Sequence, residues 1–520
     1  MVIHYGVDAP VTEPVKRADN LFSLSRAELF RIIAVIAPAA FLRFFRIGQQ
    51  SYWADEVQSI WQVNGHAGTI FNNIATNFHG PLHFTLLLGW GKLGGWEEGW
   101  TRSLSALAGV VTIWLFYLLA RRIAGRKAAL WAIILMAASP FHIWYSQEVR
   151  NYVFLHLFTV LSMLFFMKVM EQEREEAPRF RGSVGIWAGY LAASAAALLC
   201  NLAALFLFAV QGIYALIARP RLALKLVILM AAVFLVLLPW IMEIELGWSI
   251  EHIKYGDPLR RINFHPLGIP YTYLVFSLGE SVAPPSDEMH RAMSMELFKP
   301  YLPYLILAFI TYAILIFKGA RSWIDNRNRI IMFLLWLLVP LIFVSALAIL
   351  NLKVFQPRYA SVSFPGYLIL IAAGLAACGS RLRRVLIISI IILTFFSLDN
   401  HYNNPRYWKP DLRSAVGLIN QKSREGDVLA VYSIMEPVEF YYRGPADLTG
   451  FWPLPGTRQF RERSSELARR YRRVWLLSNY GWYRDPAGTI PEGFNDRFEL
   501  IERHEYNKVT VHLFRTGGQR

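Results

Sequence analysis

The sequence contains little cysteine and fewer acidic than basic residues. Its two cysteines, Cys200 and Cys378, lie in apolar stretches and have no Cys or His partner at metal-ligand spacing. This pattern indicates neither a disulfide framework nor a zinc site. Internal repeats, low-complexity tracts and a glycine-rich phosphate loop are also missing from the sequence. No small-residue cleavage site follows the first apolar run, so we expect that run to remain as a membrane anchor.

The basic excess, 53 Lys and Arg against 37 Asp and Glu, would suggest a nucleic-acid partner in a soluble protein. This chain, however, is 55% hydrophobic and has a mean hydropathy of +0.33. Many of its apolar runs are long enough to cross a hydrocarbon core roughly 30 Å thick. In membrane proteins an excess of Lys and Arg marks short cytoplasmic loops. We therefore predict an integral membrane protein that contacts membrane lipids and binds no nucleic acid.

The apolar runs predict a polytopic α-helical membrane protein with about eleven transmembrane helices. The predicted spans lie near residues 27–45, 101–120, 128–145, 151–170, 184–200, 202–218, 222–242, 301–317, 330–350, 364–379 and 385–398. The apolar stretch 81–95 is only about fifteen residues long, which is below the usual spanning length. We predict an interfacial or re-entrant helix there.

Basic residues occupy every second connection between the predicted spans. They cluster at 121–127, 168–181, 219–225, 318–329 and 381–384. The positive-inside rule then places the N-terminus and these connections in the cytoplasm and the alternate connections outside. Counting 81–95 as a span would reverse this pattern and place the basic clusters outside, which supports leaving it uncounted.

The composition changes after residue 399, where the chain becomes polar and rich in Arg and Tyr. This tail predicts a soluble α/β domain. Its predicted elements are a helix over 411–423, strands over 428–432 and 474–478, and a closing strand pair over 498–502 and 509–514. The predicted domains are a cytoplasmic N-terminal segment over 1–26, a transmembrane domain over 27–398 with an outer loop over 46–100, and an outer domain over 399–520.

Three polar clusters fall on connections that are predicted to face outside. In the first cluster Asp55 and Glu56 follow the first span, His79 comes later in the loop, and Arg102 begins the next span. Acidic side chains beside hydrocarbon are costly unless they are solvated or paired, which makes them candidates for function. In the alternative interpretation the acids cap a surface helix, and His79 and Arg102 rest at the membrane interface.

The second cluster fills the short connection 145–152, and the third, 353–359, precedes a predicted span. Their candidate residues are Gln147, Glu148 and Arg150 in the second cluster and Lys353, Arg358 and Tyr359 in the third. The alternatives are a surface ion pair for the second cluster and an aromatic and basic membrane anchor for the third.

Together the three clusters place carboxylates and cations on one face of the membrane. A carboxylate can take the proton from an acceptor hydroxyl, and Arg and His can stabilise the phosphate that leaves a sugar. This combination indicates transfer of a sugar from a phosphate-linked donor.

The clusters also resemble motifs of the GT-C superfamily, in particular a bacterial branch similar to dolichyl-phosphate-mannose protein mannosyltransferases (glycosyltransferase family 39) and to lipid A aminoarabinose transferase. The matching features are Asp55-Glu56, His79-Gly80-Pro81-Leu82, Arg102, Ser139-Pro140, the run from Tyr145 to Tyr152, Pro357-Arg358-Tyr359 and Trp408-Lys409-Pro410-Asp411-Leu412-Arg413. The family usually has His-Pro-Pro-Leu where this chain has Gly80, a departure that concerns only the local turn.

The resemblance implies an inverting enzyme that moves a single sugar from a polyprenyl-phosphate donor to a glycan, lipid or protein hydroxyl outside a bacterial inner membrane. It makes Asp55 the catalytic base, oriented by Glu56. The residues implied to surround the donor phosphate are His79, Arg102, Arg150, Lys353, Arg358 and Tyr359. Glu148, with Gln147, is implied as a second acid that contacts the acceptor or a metal. Some relatives use a divalent metal, and the spacing here leaves metal use open.

Other classes of protein share some of these features. A transporter or flippase also carries charges among many spans, but inverted repeats are typical of that class. A lipid-linked glycan ligase or polymerase and a catalytically silent subunit are further alternatives. A transfer assay on the purified protein distinguishes these classes.

Overall fold

The structure is a computed structural model of the 520-residue chain. It describes residues 24–64, 80–172, 180–254, 264–291, 294–350, 352, 355–432, 434–479 and 489–517. Two residues of the predicted site, His79 and Lys353, lie outside these ranges.

Helices dominate the described chain up to residue 403. They are α1 (Arg26–Phe44), α2 (Ala54–Trp61), α3 (Pro81–Gly94), α4 (Glu98–Ala138), α5 (Pro140–Ser146), α6 (Tyr152–Gln172), α7 (Phe180–Cys200), α8 (Ala204–Ala218), α9 (Pro220–Lys254), α10 (Gly268–Leu278), α11 (Ser286–Arg291), α12 (Met295–Phe298), α13 (Leu302–Arg321), α14 (Arg327–Ile349), α15 (Phe364–Ala377) and α16 (Ser380–Asn403).

Several of these helices are long and apolar enough to cross a membrane. Within the described residues there are five such helical segments: Glu98–Ala138, Tyr152–Gln172, Met295–Arg321, Arg327–Ile349 and Pro357–Ala377. Two shorter apolar helices cover Val184–Cys200 and Ala204–Ala218. The predicted polytopic helical fold is therefore confirmed, whereas the count of about eleven spans stays a prediction.

Helix α4 contains a break that matches the predicted gap between two spans. Gly125 has φ 82° and ψ 168°, which residues with a Cβ atom rarely adopt. The chain therefore turns between the predicted spans 101–120 and 128–145. Helix α3 has 14 residues, fewer than the roughly 20 that a perpendicular span requires.

The start of α4 and its middle turn mark opposite ends of the helix bundle. Near the middle turn, Arg122 Nε pairs with Glu171 Oε1 at 2.7 Å, and Lys127 Nζ donates to Ala376 O at 3.0 Å. Arg102 lies at the start of α4, about 30 Å from Arg122 at 1.5 Å per helical residue. The basic connection 121–127 is therefore at the end away from Arg102.

After α16 the chain forms a five-stranded sheet in the order β2-β1-β3-β5-β4. The strands are β1 (Asp427–Tyr432), β2 (Asp447–Gly450), β3 (Arg473–Asn479), β4 (Glu499–Tyr506) and β5 (Val509–Arg515), and the helices are α17 (Leu412–Lys422), α18 (Glu436–Tyr441), α19 (Arg458–Arg470) and α20 (Thr489–Asn495). Strand β1 is parallel to β2 and β3, and β5 is antiparallel to β3 and β4. The predicted C-terminal α/β domain is confirmed.

The sheet domain rests on the connection between α1 and α2. Tyr441 Oη donates to Glu98 Oε1 at 2.6 Å and accepts from Tyr52 N at 2.8 Å. Arg413 Nη1 pairs with Glu98 Oε1 at 3.1 Å. Ser51 Oγ donates to Asp411 Oδ1 at 3.2 Å. These contacts bring the segment that precedes the sheet against the end of α4 that carries Arg102.

Gly80 lies directly before α3, where its backbone touches the end of α7. Gly80 N donates to Cys200 O at 3.3 Å, and a Cβ atom at Gly80 would lie 1.8 Å from Leu199 O. This close approach excludes any side chain. It explains why the chain has Gly at a position where the resembling family usually has Pro.

We expect Gly80→Ala to lower the thermal unfolding midpoint in detergent, because forcing an extra group into a packed site typically costs about 1–3 kcal/mol. Gly89→Ala on α3 is the matched control, since a Cβ atom there meets nothing within 4 Å. Equal midpoints for the two variants would show that α7 can move away without cost.

Candidate active site

Four charged side chains form a buried cluster where α2, α4, the turn after α5 and the segment after α16 meet. Glu56 is fully buried; its Oε1 accepts from Arg102 Nε and its Oε2 from Arg102 Nη2, each at 2.8 Å. Lys409 Nζ donates to Glu56 Oε2 at 2.9 Å and lies 3.6 Å from Glu148 Oε1. Burial would raise the pKa of Glu56, but Arg102 and Lys409 lower it to about 2. Glu56 is therefore ionised and held by two cations.

Arg102 uses all its hydrogen-bond donors within the protein. Besides the two bonds to Glu56, it donates through Nη1 to Ile47 O and Gln50 O and through Nη2 to Ser51 O. A guanidinium group has five N–H donors, and these contacts occupy all of them. Arg102 therefore fixes the connection before α2 onto α4. In this arrangement it has no donor left for the phosphate contact predicted from the sequence.

Glu148 is also buried, with 2% exposure, but its carboxylate has fewer close partners to balance its charge than that of Glu56. Within the described residues its Oε1 has no hydrogen-bond partner, and Lys409 Nζ lies 3.6 Å away. Burial and the nearby Glu56 carboxylate raise the pKa of Glu148 above its usual value, and Lys409 offsets part of this rise. The charge of Glu148 therefore depends on Lys409.

Asp55 is more accessible than Glu56 and Glu148, with 27% of its side chain exposed. Adjacent helix positions do not face each other, so Glu56 can point into the protein while Asp55 stays accessible. Arg150 Nη2 lies 3.6 Å from Asp55 Oδ2, and Arg150 Nη1 donates to Asp55 O at 2.9 Å. Asp55 also lies in the first turn of α2, where a negative charge is favourable.

Arg358 is held between two aromatic rings. Its guanidinium carbon lies 5.7 Å from the centre of the Tyr152 ring and 5.5 Å from that of Tyr359. Its buried Nε has no hydrogen-bond partner in the part of the chain that the structure describes. Asp55 lies within electrostatic reach of Arg358. A cation placed in this way can bind an anion beside Asp55.

Gln147 makes contacts within the protein that hold the end of α1. Its Nε2 donates to the carbonyl groups of Leu42, Arg43 and Phe45 at 3.0–3.3 Å, and its Oε1 contacts His401 Nε2 at 3.0 Å. Gln147 therefore caps a helix that ends beside the site.

Two residues of the site were not among the candidates that the sequence suggests. Lys409 belongs to the Trp-Lys-Pro-Asp motif, which enters only through the family resemblance. Glu280 lies in a helical turn after α10 with an accessible side chain. Arg358 lies within electrostatic reach of Glu280. A lone acid after an apolar segment is the only signal for Glu280 in the sequence.

The described acids do not fit a metal site. Among the residues that the structure describes, no group of three or more His, Cys, Asp and Glu side chains is arranged to hold a metal ion. Glu56 is bonded to Arg102 and Lys409, and Asp55 is paired with Arg150.

Solved structures with the same architecture identify the fold. ArnT from Cupriavidus metallidurans in the apo state matches with a TM-score of 0.58 at 14% identity, over 94% of this chain and 98% of that chain. ArnT bound to undecaprenyl phosphate matches with a TM-score of 0.57 at 14% identity, over 93% and 97%. The oligosaccharyltransferase of Archaeoglobus fulgidus tethered to an acceptor peptide matches with a TM-score of 0.56 at 12% identity, over 92% and 74%. The chain therefore has the GT-C fold.

A sequence comparison agrees with the structural one. The family model for dolichyl-phosphate-mannose-protein mannosyltransferase matches residues 79–242, a range that contains Arg102, Glu148 and Arg150. No curated protein sequence matches the chain. The resemblance to GT-C glycosyltransferases predicted from the motifs is confirmed by the fold and by this partial family match.

Proposed function

We propose that the protein is an inverting glycosyltransferase that moves one sugar from a polyprenyl-phosphate donor to an acceptor hydroxyl outside a bacterial inner membrane. The observation that carries this proposal is an accessible acid, Asp55, within electrostatic reach of a cation, Arg358, whose Nε has no hydrogen-bond partner among the described residues. The likeness to ArnT, which binds undecaprenyl phosphate in one structure, supports the donor class.

In the proposed mechanism Asp55 takes the proton of the acceptor hydroxyl as the acceptor oxygen forms a bond to the anomeric carbon. The bond between that carbon and the phosphate oxygen breaks, and its electron pair leaves with the phosphate. Arg358 stabilises the negative charge that builds on the phosphate. Displacement from the opposite face inverts the anomeric configuration.

Each remaining residue has a supporting role. Arg150 holds Asp55 through its carboxylate and its carbonyl group. Glu56 and Arg102 fix the start of α2, which carries Asp55. Glu148 supplies a second acid to the acceptor side, and Tyr359 helps to hold Arg358. His79 and Lys353 remain predicted phosphate contacts.

The proposal is tested with purified protein and radiolabelled polyprenyl-phosphate sugars. We expect release of polyprenyl phosphate and label in a glycan, lipid or protein acceptor. Mass spectrometry of the lipid that copurifies with the protein identifies the donor to use. Movement of the labelled lipid between membrane leaflets without transfer would instead indicate a transporter. Consumption of a diphosphate-linked glycan would indicate a ligase or polymerase.

The proposed orientation places the active site and the sheet domain outside. It is supported by the basic connection 121–127, which lies at the opposite end of the bundle from Arg102. We expect Arg469→Cys on the exposed face of α19 to react with a membrane-impermeant thiol reagent in intact spheroplasts. Arg126→Cys, at a side chain that is 76% exposed, should react only after permeabilisation. The native cysteines are buried, so background labelling is low. The reverse labelling pattern would contradict the orientation.

A further inference from the structure

Lys409 lies in the short segment between the last membrane helix and the sheet domain, and both of its peptide groups are held. Its N–H donates to Gln50 Oε1 at 3.0 Å, and its carbonyl accepts from Asn507 Nδ2 at 3.1 Å. Gln50 belongs to the connection before α2, and Asn507 to the turn between β4 and β5. The backbone at Lys409 is therefore fixed by both domains at once.

The Lys409 side chain extends into the acidic cluster between two indole rings. Its Nζ lies 5.9 Å from the centre of the Trp53 ring and 5.7 Å from that of Trp144. Only 9% of the side chain is exposed. Since a buried ammonium group is costly without partners, this position requires the two carboxylates that it meets, Glu56 and Glu148.

The two carboxylates depend on Lys409 to different degrees. Glu56 keeps two hydrogen bonds from Arg102 and one from Val149 N at 3.1 Å if Lys409 is removed. Glu148 has only Lys409 within 4 Å among the cations that the structure describes. The other charged or titratable groups around Glu148 and Lys409 in the described chain are Arg46, Glu56, Arg102, Tyr145, Arg150, Arg358 and His401. Loss of Lys409 therefore acts chiefly on Glu148.

We propose that Lys409 is a positioning residue that bridges Glu56 and Glu148 and thereby completes the active site only when the C-terminal domain is docked. The sheet domain then acts on the charge of the site through Lys409, whose carbonyl group is held by Asn507. This inference rests on the proposed function for its kinetic test.

The test compares Lys409→Met with the wild type. Methionine keeps the length of the side chain and removes the charge, so the pKa of Glu148 should rise further. Because Glu148 is proposed to act in its ionised form, the acidic limb of the turnover profile should move to higher pH by about one pH unit or more. At a pH on this limb we expect turnover to fall about tenfold for each pH unit that the limb moves, with little change in KM, and to recover as the pH is raised. Lys409→Arg should restore part of the turnover.

The matched control is Lys422→Met in the same domain, where Lys422 Nζ pairs with partly exposed Glu502 at 2.7 Å. This variant should keep the wild-type pH profile. An unchanged profile in Lys409→Met would overturn the proposal.

A double-mutant cycle with Glu148→Gln shows whether Lys409 acts through Glu148. Glu148→Gln should lower turnover, and adding Lys409→Met should then cause little further loss and no further shift of the acidic limb. Additive losses would overturn the proposal.

Thermal unfolding gives a readout that does not depend on transfer: Lys409→Met should lower the midpoint, and adding Glu148→Gln should restore part of it. If the wild type transfers no sugar, the proposed function fails, and the thermal cycle still tests the bridge.

Discussion

Asp55→Asn is expected to lower the rate of sugar transfer by about 10²- to 10⁴-fold, the usual contribution of a general base. The amide keeps the shape of the carboxylate but cannot take the acceptor proton. Because Asp55 is partly exposed and Arg150 also binds its carbonyl group, the fold should tolerate the change. Donor affinity should remain close to that of the wild type, since Arg358 is unaltered. Turnover, lipid binding and the unfolding midpoint are measured on the same preparations.

Glu56→Gln should instead lower the unfolding midpoint, and it therefore serves as a comparison. It leaves buried Arg102 and Lys409 without their shared carboxylate, and breaking a buried ion pair typically costs about 3–5 kcal/mol. Asp399→Asn is a neutral control, because Asp399 is exposed and its carboxylate accepts from Asn403 of the next helical turn. Near-normal turnover in Asp55→Asn would remove Asp55 from the role of base and make Glu148 the next candidate.

Much of the fold could be predicted because insertion into a membrane determines both the length of the apolar helices and the position of the basic connections. The break at Gly125 and the short helix α3 agree with the predicted segments. Strand β2 was missed because it has only four residues, forms an edge of the sheet and has no fully buried position. Helix α19 was missed because Arg and Glu dominate its sequence. Its buried residues, Phe460, Ser464 and Leu467, nevertheless follow helical spacing.

The sequence indicates which residues belong to the candidate site better than it indicates the role of each residue. Arg102 lies at the start of one predicted span and Arg358 shortly before another, so the sequence gives no reason to assign them different roles. In the structure, all five donors of Arg102 have acceptors, whereas Arg358 Nε has none among the described residues. Lys409 meets Glu56 across 353 residues of sequence. Only the docking of the C-terminal domain creates that contact.

Arg358 is expected to be the principal contact of the donor phosphate, so Arg358→Ala should reduce turnover by about 10²- to 10³-fold, as when a preorganised donor to a developing negative charge is lost. Donor affinity should fall as well, because the phosphate is charged before the transfer begins. Arg358→Lys should give an intermediate loss. Lysine keeps the charge but offers a single point contact, whereas Arg can donate two parallel hydrogen bonds to a phosphate.

The comparison with lysine separates this role from that of a membrane anchor. An anchor needs only a long basic side chain that reaches the interface, so Lys would replace Arg freely. Arg329→Lys is the matched control, because the Arg329 guanidinium carbon also lies near an aromatic ring, 6.0 Å from the centre of Trp323, but at the start of α14 and outside the acidic cluster. We expect Arg329→Lys to keep wild-type turnover and donor affinity. If Arg358→Lys does the same, Arg358 is an anchor, and the phosphate contact belongs to Arg150 and His79.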